Sequence, residues 1–128
     1  MKILLTLISI VYYFALASIA SEKPTNSKHL LHVVTFKFKA AATKDQIQEV
    51  VEAFSALKKK IPTIQTLEWG TNVSQGKRDK GFTHCWVLSF KSEKDRDGYI
   101  VDPAHKAFGK IVGPVLEDVF VFDYWAQE

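Results

Sequence analysis

The chain has 128 residues, 47% of them hydrophobic, and its 17 Lys plus Arg against 14 Asp plus Glu give a formal charge of +3. That length holds one ordinary domain, and a single Cys excludes both an internal disulfide framework and a Cys-rich zinc site. Nine Phe, four Tyr and three Trp supply bulk for a core, while six Gly and four Pro are too few for a linker array.

The first element is an export signal. Lys2 precedes an apolar stretch from Ile3 to Leu16, and Ser18 and Ala20 occupy the −3 and −1 places of a cleavage site after Ala20. The alternative, an uncleaved anchor, has only the 18 residues Ile3 to Ala20 with which to span a bilayer, and no basic stop-transfer cluster follows. The expectation is therefore a signal peptide over 1–20, a mobile polar leader over 21–27 and one folded domain over 28–128. Such a protein is exported, periplasmic or extracellular, without stable membrane association after cleavage. Lys2 is the one charge lost with the signal, so 16 basic and 14 acidic residues remain. This near balance gives no basic face for nucleic acid.

In the mature chain, Leu30 to Lys39 is Val- and Phe-rich and reads as a strand with His32, Val34, Phe36 and Phe38 on one face. Thr43 and Gln46 have capping-box spacing, and Ile47, Val50, Val51, Phe54 and Leu57 continue at helical spacing to about Lys60, before Pro62. Lys58 to Lys60 suit a helix C-terminus. Ile64 to Asn72 reads as a second strand, Ser74 to Gly81 as a polar connection, and Phe82 to Phe90 as a third strand with His84, Trp86, Leu88 and Phe90 sharing a face. A charged helical start at Lys91 to Gly98 is interrupted by Pro103, Ala104 to Val112 forms a second helical piece, and Val115 to Trp125 closes the domain as a strand. The order βαββαβ predicts an α+β, ferredoxin-like fold with one four-stranded antiparallel sheet and its helices on one face. Leu31, Val33, Cys85 and Val87 make the other face apolar as well, which predicts a homodimer.

Five polar groups stand in apolar surroundings: His32, His84, Tyr99, His105 and Asp123. The first and third strands are neighbours in such a sheet, so His32 and His84 can share the space under Tyr99 and His105. A carboxylate inside the run Val119 to Trp125 needs a partner, and a His–Asp pair would fix an imidazole tautomer for general-base work. The structural alternatives are a satisfied strand residue for His32 (the reading favoured there) or for His84, a core aromatic for Tyr99, and a backbone cap for Asp123. His105 is the strongest candidate, because Pro103 breaks the helix just before it. The histidine spacing matches no metal motif, so no metal or cofactor is expected. Cys85 must face away from His84 and has no evident base. Asn72-Val73-Ser74 fits an N-glycosylation acceptor.

His32-Val-Val-Thr-Phe-Lys-Phe-Lys39, Gly81-Phe-Thr-His84, Tyr99-Ile-Val-Asp-Pro-Ala-His105 with Phe108, and Val121-Phe-Asp-Tyr124 together resemble the stress-responsive dimeric α/β-barrel (Dabb) family over roughly Lys28 to Trp125. The resemblance implies a dimer whose two sheets form an α+β barrel. Family members include plant stress proteins without an established reaction and a plant polyketide cyclase, which uses a His base and a Tyr in an intramolecular aldol condensation. On that pattern His105 falls on the base and Tyr99 on the Tyr. A pocket bordered by His32, Phe36, Phe54, His84, Trp86 and Phe108 would hold a small hydrophobic or carbonyl-bearing ligand. Three positions depart from the cyclase-like pattern: Phe54 stands for Tyr, Asp102 for His, and bulky Trp86 for Val. The expectation is an exported dimer with a small apolar pocket that binds an organic molecule. The alternatives are a cyclase, isomerase or lyase using His105 as base, and a ligand-free scaffold.

Overall fold

The computed structural model describes residues 28–127; the signal and leader expectations for 1–27 lie outside the described residues. Strand β1 (Leu30–Phe38) leads to helix α1 (Lys44–Lys60), then come β2 (Thr66–Thr71), β3 (His84–Phe90), α2 (Glu93–Val101), α3 (Pro103–Val112) and β4 (Leu116–Trp125), the last preceded by a 3-10 turn at Gly113–Val115. The sheet order is β2-β3-β1-β4, and every neighbouring pair is antiparallel. The expected ferredoxin-like arrangement is therefore the observed one.

Local chemistry sets the element ends. Thr43 Oγ1 accepts from the Gln46 amide at 3.2 Å while Gln46 Oε1 accepts from the Thr43 amide at 2.9 Å, so two otherwise orphaned donors are satisfied as α1 begins. Three lysines end that helix, and Lys58 Nζ also donates to the Ile64 carbonyl at 2.8 Å. Strands β2 and β3 start two residues later than the alternation suggested. Ile64 is fully buried but lies in the turn after α1, its amide bonded to the Ile61 carbonyl. Phe82 belongs to the loop, its amide bonded to the Asp79 carbonyl. Gly81 in that loop has a positive φ of 86°, and a side chain there would meet Lys37.

The core lies between the sheet and the helices. Val50, Val51, Phe54 and Leu57 of α1 and Phe108 and Val112 of α3 pack with Val34, Phe36, Trp86, Leu88 and Phe90 of the sheet. Phe54 stacks on Trp86 at 4.6 Å with the rings nearly parallel, and Phe36 meets Trp86 at 4.9 Å. This aromatic cluster fills the space above β3. Above β1 and β4 the filling is incomplete, and a cavity lies there beneath α2 and α3. The opposite sheet face carries Leu31, Val33 and Val87, partly exposed, and Phe120, Phe122 and Tyr124, exposed.

Candidate functional site

The break between α2 and α3 builds the first part of the site. Asp102 has an extended backbone, as a residue before proline must, and serves both as the C-cap of α2 and the N-cap of α3. Its Oδ1 accepts from the Ala104 amide at 2.8 Å. In a continuous helix that amide would have donated to the Ile100 carbonyl. Released, the Ile100 carbonyl instead accepts from Nδ1–H of His105 at 3.0 Å. A carbonyl can only accept, so Nδ1 carries the proton and Nε2 of the neutral ring keeps its lone pair.

The second part comes from sheet register. His32 of β1 lies directly opposite Asp123 of β4, on the face toward the helices. Their Nδ1 and Oδ1 atoms are 2.6 Å apart, and His32 is 5% exposed. The other carboxylate oxygen, Oδ2, accepts from Nη1 of Arg96 at 2.5 Å, and Nε of Arg96 donates to Asp97 at 2.7 Å. Tyr99, 1% exposed, stands between the two imidazoles, with ring centres 5.6 Å from His32 and 4.5 Å from His105.

These side chains border a cavity of about 330 Å³ between the β1–β4 half of the sheet and α2–α3. Its walls include Phe36, Phe54 and Phe108, with Val119 and Val121 from β4. The volume falls at the lower end of the usual range for small-molecule sites, roughly 300–1,000 Å³. Burial pushes the His105 imidazole below its ordinary value; nearby His32 adds to that, while the Ile100 carbonyl and Asp102 pull the other way. Burial and the Asp123 charge push the Tyr99 phenol up, so it stays a protonated donor. One wall thus presents a neutral base and a hydroxyl donor inside an apolar chamber.

Of the residues expected to share a pocket, His32, Phe36, Phe54, Tyr99, His105 and Phe108 meet there, and Asp123 stands behind His32. Two do not. His84 pairs with Phe36, whereas His32 pairs with Leu88, so the two histidines sit at opposite ends of one face. The His84 ring lies parallel to Trp69 at 6.2 Å, its Nδ1 is 2.9 Å from the Thr83 hydroxyl, and burial pushes it below its ordinary value. It borders a separate groove of about 600 Å³ near the 72–83 loop. Trp86 is fully buried in the aromatic cluster and takes up space that a smaller residue would leave open. The His–Asp pair is formed by His32 and Asp123, whereas His105 is held by the backbone of Ile100. Among the described residues no three His, Cys, Asp or Glu side chains gather as metal ligands. Arg96 escaped the sequence reading because it lies in the charged stretch Lys91 to Gly98, which looks like a solvated helix start.

An α+β chain with this sheet order and its helices on one face is a ferredoxin-like protein. The model of the Stress responsive A/B Barrel Domain (Dabb) matches residues 30–126, and the chain belongs to that family. Olivetolic acid cyclase of Cannabis sativa is 32% identical over 93 residues, covering 73% of this chain and 92% of that protein. Among solved structures, hydroxynitrile lyase from Passiflora edulis superposes with a TM-score of 0.74 at 25% identity, over 80% of this chain and 96% of that one. A dimeric ferredoxin-like protein from Thermobifida fusca shares the fold, with a TM-score of 0.67 at 23% identity over 79% of this chain and 93% of that one.

Proposed function

We propose that this protein is exported and works as a homodimer, each subunit binding one small, mostly apolar organic molecule in the cavity between β1, β4 and α2–α3. The single observation that carries the reading is the convergence of Tyr99, His32 and His105 on a chamber otherwise walled almost wholly by apolar residues. His32 and His105 each have one ring nitrogen bonded within the protein, whereas a hydroxyl dehydrated without a partner is costly, and a ligand oxygen that accepts from Tyr99 would offset that cost. Export is supported by the signal pattern of residues 1–20. The dimer is supported by the apolar second face and by the dimeric relatives of like fold.

Native mass spectrometry of the protein recovered after export tests this reading at once. The expected species is a dimer with a mass beginning at Ser21 and a retained small molecule. Tyr99→Phe should lower that occupancy, because it removes the donor while keeping the ring. Equal occupancy in wild type and Tyr99→Phe, with His105→Gln also unchanged, would place the molecule elsewhere and overturn the reading.

A second reading is favoured by one observation, the His105 Nδ1–H bond to the Ile100 carbonyl. It leaves Nε2 free as a base, with Tyr99 available to donate to the oxygen where charge develops as a proton leaves an adjacent carbon. Likeness to proteins named as a cyclase and a lyase supports a catalytic reading. Incubating the protein in D₂O with a panel of apolar methyl ketones and aldehydes, and following deuterium entry beside the carbonyl by NMR, measures it directly. His105→Gln is expected to slow exchange by roughly 10²–10⁴-fold; exchange at the wild-type rate in that variant would remove His105 from the role.

A further inference from the structure

We propose that Arg96 is a positioning residue for the cavity, which acts through Asp123 to hold His32 in the Nδ1–H tautomer. Three features of Arg96 point this way. It is the fourth residue of α2, within one turn of the Ser92 cap, where the helix dipole disfavours a cation. Its side chain is only 19% exposed, although the surrounding sequence is a solvated charged run. Its guanidinium bridges α2 to β4, with Nη1 on Asp123 Oδ2 at 2.5 Å as well as Nε on Asp97 of its own helix.

The consequence follows from the geometry of the carboxylate. Asp123 gives one oxygen to Arg96 and the other to His32. Asp97, on the Nε side, fixes the guanidinium plane at 2.7 Å, and a planar guanidinium is a rigid donor in a way that an ammonium is not. With Oδ2 held, the carboxylate cannot rotate, and Oδ1 stays against Nδ1 of His32. A carboxylate only accepts, so Nδ1 carries a proton, and whenever the ring is neutral Nε2 is its remaining acceptor. The other neighbours of the ring, Phe90 and Tyr99, make edge contacts at 6.4 and 5.6 Å and select no tautomer. The chamber therefore has two imidazoles held in the same sense by different anchors: a backbone carbonyl for His105 and an Arg-clamped carboxylate for His32. What this does for a ligand rests on reading the cavity as a binding site; the positioning itself does not.

Long-range ¹H–¹⁵N spectra of the imidazole rings in ligand-free, ¹⁵N-labelled protein test the inference. In the wild type both rings are expected as single Nδ1–H tautomers. In Arg96→Gln the His32 signals should move to tautomer-averaged positions while those of His105 stay put, since Ile100 still holds that ring. Arg96→Lys, which keeps charge without the fork, should restore part of the His32 signature. If Arg96→Gln fails to fold, Arg96→Met keeps the hydrocarbon stem and carries the same expectation. A His32 ring that remains wholly in the Nδ1–H form without Arg96 would overturn the proposal. So would equal averaging of His105, which would mean a general loosening. Because the spectra need no ligand, their outcome is separate from whether the cavity binds one.

Discussion

His105 couples the cavity to pH. Its folded-state value lies below the ordinary 6.5 because burial penalises the charged ring, and His84, at the other end of the sheet, is lowered for the same reason. For both, the unfolded chain binds more protons than the folded one in the window from about 6.5 downward. Stability should therefore be full above that value and fall as the pH drops through it. A thermal midpoint followed from about pH 8 to pH 5 is expected to decline, and to decline less in His105→Gln/His84→Gln; an equal decline in the double variant would assign the loss to other groups. At Asp123 the expected effect is larger. Asp123→Asn replaces an acceptor shared by His32 and Arg96 and should cost about 1.5–3 kcal/mol, read by denaturant unfolding; a cost near zero would mean that the pair is solvated. The sequence made His105 legible through Pro103, which cannot continue a helix from the residues before it but suits the first turn of the next. It did not reveal that His84 and His32 lie apart, because alternation gives the face and not the register. Nor could it expose Ile100, whose contribution is a backbone oxygen released by its neighbours.

The helix break is an element-scale device that can be undone. Asp102 supplies the side-chain acceptor for Ala104, and Pro103 forbids helical geometry at Asp102. In Asp102→Ala/Pro103→Ala both constraints are gone, and α2 and α3 are expected to fuse, returning the Ile100 carbonyl to the Ala104 amide. Far-UV circular dichroism should show added helix, and the imidazole spectrum should show His105 without its fixed tautomer; unchanged helicity would mean that packing, not local chemistry, keeps the break. At α1 the expected effect is ordinary. Thr43→Ala removes the hydroxyl that accepts from Gln46 and should cost about 1 kcal/mol in unfolding free energy. The order of elements was readable because each signal is local: a capping box, a period of 3.6 or 2, a proline. Strand starts at Ile64 and Phe82 were not, because an apolar residue in a tight turn can be as buried as one in a strand. Ile64 is 1% exposed while lying outside β2.

For the whole molecule the unbalanced feature is the outward face of the sheet. Phe120, Phe122 and Tyr124 form a ladder along β4, with successive ring centres 6.4 and 6.0 Å apart, and Phe120 and Phe122 are more than half exposed at 53% and 56%. Beside them on β1 and β3 stand Leu31, Val33 and Val87, so the patch runs across three strands rather than along one edge. A contiguous apolar surface of this kind marks an interface, and aromatic side chains near its centre carry most of the binding energy. Phe122 faces Val33 across the β1–β4 pairing, near the middle of the patch. Phe122→Asp places a charge there and is expected to weaken association by at least about 30-fold, the equivalent of a 2 kcal/mol hot spot. Light scattering across a dilution series should then give the monomer mass where the wild type gives the dimer. A wild type that is monomeric at all concentrations would refute the dimer outright. The same variant separates the two faces of the sheet. The residues described around the cavity belong to one chain and lie on the side of the helices, so a monomeric Phe122→Asp protein should retain any small molecule that the wild type is found to carry. Loss of that molecule together with the dimer would show that the partner subunit completes the chamber.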